Sequence, residues 1–290
     1  MEIGDTVTSM EFTFTDADFQ RLGGMVTSYS GIEMGENKRN LMYSRLARRI
    51  RTLGLTSFQD YIQHLEKEQK LGSDDELMMM INSMTTNVTH FFREQHHFNH
   101  LAAHLDAAVK KNNGRARIWC CASSIGAEPW SIAMTVKQYM DMHPTADIKL
   151  MATDIDTQVL TRAQEGEYEL GDDEFKKHPI LKKYMKSIKA DDENFMGLKK
   201  YRIDDCLRSL VNFQKVNLIN KFPLFLEQQY DFIFCRNVII YFSKETQQDL
   251  FKRIANYAPK GSYLYLGHSE NLMGVNEDFH PIGQTTYERK

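Results

Sequence analysis

No stretch of this 290-residue chain holds the roughly 18 consecutive apolar residues that a bilayer-crossing helix needs. Its opening, Met1–Asp16, is acidic and lacks an apolar centre, which argues against a signal peptide. Charge of one sign is missing too. The chain has 36 Lys and Arg against 39 Asp and Glu, a formal net charge of −3, so its bulk charge does not point to nucleic acid or a membrane surface. Cysteine is scarce: Cys120, Cys121, Cys206 and Cys235 include no Cys-x-x-Cys pair for zinc or thiol redox chemistry. They read as reduced, mostly buried thiols of a cytoplasmic protein. Internal repeats and low-complexity tracts are absent, as are a Ser-His-Asp set and the glycine fingerprint of dinucleotide-binding loops.

What is present falls into two styles. From about Asp16 to His104 the pattern is helical. Thr15-Asp16-Ala17-Asp18 caps a helix with Phe19, Leu22, Met25 and Val26 on one face. A break at 30–37 leads to a helix over 38–53 carrying Leu41, Leu46 and Ile50. A third helix begins at Ser57, and 74–84 predicts a fourth whose methionines (Met78, Met79, Met80, Met84) suit a core filler. Residues 96–112 predict a long helix bridging two domains. At Gly114 the character changes to strand-like runs over 116–121, 148–153, 230–235 and 262–267, separated by helices over 129–140, 157–164 and 244–257. Such alternation means a parallel sheet built from right-handed crossovers. The charged stretch 166–213 interrupts it. Its strand-like pieces, 198–203 and 210–214, predict a small inserted antiparallel sheet, and a last strand near 285–289 closes the main one. The expected organisation is a helical domain over 1–90, a linker and bridging helix over 91–113, and an α/β domain over 114–290 with an insertion at about 166–213.

Four stretches carry polar chemistry. Ala122-Ser123-Ser124-Ile125-Gly126-Ala127-Glu128-Pro129 follows the first strand and opens a helix, where small residues and unpaired N–H groups suit a ligand, though such turns also join strand to helix for steric reasons. Asp154-Ile155-Asp156 ends the second strand; Asp154 is placed to grip ribose hydroxyls and Asp156 to cap the next helix. Thr85–Glu94 crowds Thr86, Asn87, Thr89 and Arg93 around the apolar Phe91 and Phe92. Cys235-Arg236-Asn237-Val238-Ile239-Ile240-Tyr241-Phe242 ends an apolar strand in Arg-Asn, at the sheet edge where open α/β folds bind ligands. A basic run, Lys38, Arg39, Arg45, Arg48, Arg49 and Arg51, puts Arg45, Arg48 and Arg49 on one helical face. It lacks the interleaved aromatics of single-strand binders, so no nucleic acid is expected. His96, His100 and His104 recur every fourth residue without an acidic partner or a His-Glu-x-x-His pattern, so no metal is expected.

Taken together and in order, these stretches resemble the CheR-type chemotaxis receptor methyltransferases. The resemblance rests on Thr85–Glu94, on Ser124–Ala133, and on Thr153-Asp154-Ile155-Asp156. Asn217-Leu218, Cys235–Phe242 and Gly267-His268-Ser269-Glu270 complete it, so that it spans nearly the whole chain. It implies a class I, Rossmann-like methyltransferase fold, mostly parallel, with an N-terminal helical domain and an inserted antiparallel β-subdomain. It also implies a cytoplasmic monomer using S-adenosylmethionine and releasing S-adenosylhomocysteine. The activity implied is esterification of glutamates on chemoreceptor cytoplasmic helices. Carried over, Glu128 and Asp154 would hold the amino and ribose groups, and Asn217 and Leu218 would lie along the adenine. Asn87, Thr89, Arg93, Ala122, Arg236 and Asn237 complete the implied cofactor set; Arg93 and Tyr241 would orient the acceptor carboxylate. Arg45, Arg48 and Arg49 would dock the receptor helix, and the β-subdomain, at 198–203 and 210–214, would take a receptor tail peptide. The family's cofactor loop usually reads Ser-Thr-Gly-Glu-Glu-Pro-Tyr-Ser; here Ile125, Ala127 and Trp130 depart from it. A nitrogen methyltransferase of the Asn-Pro-Pro-Tyr kind, a dehydrogenase and a non-catalytic cofactor sensor fit these residues less well.

Overall fold

The computed structural model describes residues 11–188, 197–223 and 228–290. Most of the stretch read for a signal peptide (1–10) and part of the insertion (189–196) lie outside them. The chain forms two compact units, Met1–Thr86 and Asn87–Lys290.

In the first unit, α1 (Asp16–Ser30) starts in a capping box: the Thr15 side chain accepts from Asp18 N, and the Asp18 carboxylate accepts from Thr15 N. It ends at Gly31, whose φ of 76° is the left-handed stop that glycine tolerates. Three more helices follow: α2 (Arg39–Thr52), α3 (Phe58–Lys70), capped by Ser57, and α4 (Asp75–Met84). Phe19, Leu22 and Val26 of α1 are buried, as are Phe58, Tyr61 and Leu65 of α3. On α2 the buried face is Met42, Leu46 and Ile50, with Leu41 at its margin. Met78, Met80 and Met84 of α4 fill the core, as gap-filling methionines do.

The basic run on α2 does not form one solvated face. Arg49 pairs with the buried Glu76 carboxylate, which also accepts from Tyr61 Oη at 2.8 Å. Arg45 Nη1 donates to the carbonyls of Ser83 and Thr85, at 2.7 and 2.9 Å, so it serves as a cap for the end of α4. Of the three expected docking arginines, Arg48 is exposed.

The second unit begins with α5 (His96–Lys111). The sequence reading made this a bridge between domains, but Leu101, Leu105 and Val109 belong to the core of the second unit. Then come β1 (Arg115–Cys120), α6 (Ala127–Met142), β2 (Asp147–Asp154) and α7 (Thr157–Glu165). Next are β3 (Glu167–Leu170), α8 (Asp172–Lys177), α9 (Leu181–Tyr184), β4 (Met185–Ser187), β5 (Lys199–Ile203) and α10 (Asp205–Arg208). The chain closes with β6 (Val211–Lys215), β7 (Phe232–Phe234), α11 (Lys244–Ala255), β8 (Tyr263–Tyr265), β9 (Phe279–Gly283) and β10 (Thr286–Arg289). Seven strands make one sheet in the order β6-β2-β1-β7-β8-β10-β9. The first five of that order are parallel, whereas β10 runs antiparallel to both β8 and β9. Buried on both sides, β7 is continuously apolar, as central parallel strands are.

Two sequence expectations need correction. The strand at 210–214 is not in the inserted sheet: β6 pairs in parallel with β2, Leu150 opposite Val211 through Asp154 opposite Lys215. The inserted sheet is β3-β5-β4, so the strand at 198–203 is its middle, already bonded on both sides. A charged, irregular insertion hides where the chain rejoins the large sheet. The second miss is β9, which contains Pro281 and Gly283; proline reads as a strand breaker, yet an edge strand accommodates its missing N–H.

The buried Glu76 needs its cation. Arg49→Ala, which leaves the buried Glu76 carboxylate without its cation, should destabilise the protein by about 3 kcal/mol, the usual cost of stranding a buried charge. Asp249→Ala, which removes the more exposed partner of Arg253, should cost under about 1 kcal/mol. Urea titrations of both variants check this.

Candidate active site

Strand order reverses across β1: β2 and β6 lie on one side, β7 and β8 on the other. The loops leaving the carboxyl ends of β1 and β7 therefore diverge, opening the crevice where such sheets take ligands. Most of the polar residues singled out in the sequence lie on loops at this edge or on the segment 87–95.

That segment is anchored by its aromatics. Phe91 packs edge-on against Tyr168, ring centroids 4.9 Å apart, and Phe92 against Phe98 at 5.2 Å. Phe92 N donates to Ser131 Oγ at 3.0 Å on α6. Arg93 sits between two non-glycine residues with left-handed backbone, Phe92 (φ 53°) and Glu94 (φ 59°), so strain is concentrated on either side of it. Its side chain, 28% exposed, donates from Nη1 to the Val88 carbonyl at 3.3 Å. Thr89 is half-buried in the same segment.

One group of residues gathers around Asp154. Its buried carboxylate accepts from Ser124 N at 2.8 Å and Asp156 N at 2.9 Å, joining the loops after β1 and β2. Burial pushes the Asp154 carboxyl up to about 6 despite these N–H donors. Asp156 caps α7 through the N–H groups of Gln158 and Val159, and accepts from Asn87 Nδ2 at 3.1 Å. Ser124 Oγ reaches the Asn87 carbonyl at 3.2 Å. Ala122 is half-buried in the loop after β1. Val216 N donates to the Asp154 carbonyl, bringing Asn217 and Leu218 to the same edge.

A second group gathers around Arg236, whose side chain is wholly buried. It donates from Nη1 to Glu128 Oε2 at 2.6 Å and from Nη2 to the Arg93 carbonyl, and lies 3.3 Å from Glu94 Oε2. The other Glu128 oxygen accepts from the Cys120 thiol. Burial raises the Glu128 carboxyl, against the pull of Arg236. Glu94 also accepts from His268 N and Nδ1. Asn237 follows Arg236 in left-handed backbone (φ 57°), and Tyr241 ends a 3-10 turn at 239–241.

Arg45, Arg48 and Arg49 belong to the first unit and are not part of either group. In the histidine ladder, His100 Nδ1 pairs with Tyr265 Oη at 2.9 Å and His104 Nδ1 with the His100 carbonyl. Among the described residues, the grouping with ligand-like proximity is Glu94, His96 and His97, their candidate atoms within 4.8 Å of one another. The Arg236 guanidinium against Glu94 opposes a cation there.

Comparison with known proteins gives the family. The profile described as the SAM-binding domain of CheR methyltransferase matches residues 87–288, and that described as the CheR all-alpha domain matches 17–85. The chain belongs to the CheR methyltransferase family. It is 37% identical over 279 residues to the chemotaxis protein methyltransferase of Salmonella typhimurium, covering 96% of this chain and 92% of that one. It is 37% identical over 273 residues to that of Escherichia coli, covering 94% and 91%. It is 38% identical over 280 residues to chemotaxis protein methyltransferase 2 of Pseudomonas aeruginosa, covering 96% and 95%.

Within this CheR-family chain, two of the three departures in the loop after β1 face packing, while Ile125 is half-buried. Ala127 and Trp130 are buried, and Trp130 Nε1 donates to the Ala163 carbonyl of α7 at 3.0 Å. Sequence reasoning missed three residues. Tyr168 of β3 donates to the Ile125 carbonyl at 2.7 Å, tying the inserted sheet to that loop. Arg253 of α11 donates to the carbonyls of Leu218 and Asn220, at 2.7 and 2.6 Å. Glu270 accepts from three loop N–H groups. Of the three, Glu270 alone carried a signal, as the end of Gly267-His268-Ser269-Glu270; the others lie in stretches without a motif.

Gly126 holds the loop against α7 at φ 94°, where a Cβ would meet Tyr168 Oη at 2.7 Å and Ala163 Cβ at 2.9 Å. Gly126→Ala should cost about 2 kcal/mol or more, against roughly 1 kcal/mol for Gly114→Ala. Gly114 has similar backbone (φ 87°) but open space around it. Thermal unfolding of the two variants checks the difference.

Proposed function

We propose that this protein transfers the methyl group of S-adenosylmethionine to the side-chain carboxylate of specific glutamates on chemoreceptor cytoplasmic helices, as a protein-glutamate O-methyltransferase. The observation that carries this reading is the joining of Glu128 and the Arg93 main-chain carbonyl by the buried Arg236 guanidinium, at the same carboxyl edge of the sheet that carries Asp154. Asp154 fits the ribose of such a cofactor, being a buried carboxylate held only by backbone donors, and an unpartnered Ser123 hydroxyl is buried in the adjoining loop. Glu128 would meet the amino group, and Asn217 and Leu218 the adenine. Asn87, Thr89, Ala122 and Asn237 would line the rest.

When bound, S-adenosylmethionine supplies a methyl group activated by its sulfonium. A glutamate acceptor, with an ordinary pKa of about 4.3, is already a nucleophile at neutral pH, so no general base is required. The protein's task is alignment, which is worth roughly 7–11 kcal/mol. Because the acceptor's charge is cancelled as the bond forms, Arg93 and Tyr241 serve better as positioners than as a tight clamp on the carboxylate. Arg48, the exposed member of the basic face of α2, would attract an acidic receptor helix. A receptor tail peptide would add to an outer strand of the inserted sheet, β3 or β4, since β5 is paired on both sides.

Calorimetric titration with S-adenosylhomocysteine, followed by an assay for base-labile methyl esters on receptor fragments, tests the reading. Arg93→Ala should lower the transfer rate at least about a hundredfold while changing S-adenosylhomocysteine affinity less than tenfold. Near-wild-type turnover would remove Arg93 from the site. The pH dependence has a definite sign. With Asp154 near 6, the ribose-accepting carboxylate is fully present above about pH 7 and is protonated as pH falls. S-adenosylhomocysteine affinity should therefore weaken below pH 6 by up to about tenfold per unit. Glu128, also raised, acts in the same direction. Asp154→Asn should bind weakly and with a flatter pH profile; an unchanged profile would displace Asp154 from the ribose.

A further inference from the structure

Glu270 is a buried carboxylate that the chemistry above leaves unused. It is 4% exposed, and among the described residues no Lys, Arg or His forms an ion pair with it. Its partners are backbone N–H groups. Oε2 accepts from Gly267 N and Asn237 N, each at 2.7 Å, and Oε1 from Ile239 N at 3.0 Å. Converging N–H groups of this kind form a nest that binds an anion. Here the anion comes from the loop after β8, and most of the nest from the loop after β7.

The two loops also interlock sterically. A Cβ on Gly267 would lie 2.2 Å from Asn237 Nδ2 and 2.9 Å from Glu270 Oε2. Asn237 itself is held in left-handed backbone, which a non-glycine residue adopts only when its surroundings impose it. The turn that Glu270 organises begins at Arg236, whose guanidinium holds Glu128 and the Arg93 carbonyl, and ends at Tyr241, whose N–H bonds back to Val238 at 3.2 Å.

We propose that Glu270 is a positioning residue for methyl transfer, an anionic latch that locks the Arg236–Tyr241 turn to the loop after β8 and so sets where Asn237 and Tyr241 face the reactants. The proposal rests on the reading of Arg236, Asn237 and Tyr241 as site residues. A glutamine cannot replace Glu270, because its amide group would turn two donors toward the donors of the nest.

The test uses the full-length protein as wild type, Glu270→Ala, Glu270→Gln and Arg93→Ala. Each is measured for ester formation, S-adenosylhomocysteine affinity, thermal melting and deuterium uptake by peptide. Both Glu270 variants should still melt cooperatively and bind S-adenosylhomocysteine within about tenfold of wild type, while kcat falls about a hundredfold. Deuterium uptake should rise over 236–241 and 266–270 but not over 115–120. Sodium formate, a small carboxylate able to enter the space left in Glu270→Ala, should restore part of both the rate and the protection. It should do nothing for Arg93→Ala. The latch is overturned if uptake over 236–241 stays at the wild-type level, if kcat is near wild type, or if rate and melting temperature fall together and formate recovers neither. Absence of ester formation by the wild-type enzyme would instead fail the proposed function, and deuterium uptake with its formate response would still decide the latch.

Discussion

The second unit is organised around a guanidinium with no exposed surface. An uncompensated charge in a protein interior costs several kcal/mol, so the partners of the buried Arg236 guanidinium are obligatory. They come from two separate parts of the chain: Glu128 at the start of α6, and the Arg93 carbonyl and Glu94 on the segment before α5. Nothing in local propensity brings these together. Once they meet, displacing any one strands a buried charge, and the loops at the sheet edge are held as a set. The left-handed residues flanking Arg93 persist because this network and the buried Phe91 and Phe92 over-determine the segment.

Environment divides the carboxylates at this edge by task. Glu128 faces a guanidinium and a thiol, Asp154 two backbone N–H groups, and Glu270 a nest of them. Burial raises all three, whereas Glu94, half-enclosed beside Arg236 and His268, is pulled down once their attraction outweighs its burial. The side chains are chemically alike, and only their surroundings distinguish them.

The helical unit makes the complementary point about charge runs. Six basic residues within fourteen positions read as one electrostatic face, but a run says nothing about what lies opposite each side chain. Tyr61 and Arg49 converge on Glu76, and Arg45 turns toward the carbonyls that end α4, because buried acids and helix C-termini both need donors. Arg48 is exposed because its position on the helix points it away from those groups.

By itself the sequence determined the periodic and the local. The four helices of the first unit and the alternation that builds the parallel sheet were legible. So was the clustering of polar residues at strand ends, because burial of one face imposes a period and caps act over three residues. The ordered motifs made the CheR resemblance legible as well. Pairing over long distances was left to the tertiary structure. It put β6 in the large sheet, turned Arg45 and Arg49 inward, and tied Tyr168 to Ile125 and Arg253 to Leu218, since a partner 35 or 43 residues away leaves no local pattern. Glu270 stands between the two. Its motif marked it, but only the folding of one loop against another turned a carboxylate beside a glycine into the anion of a backbone nest.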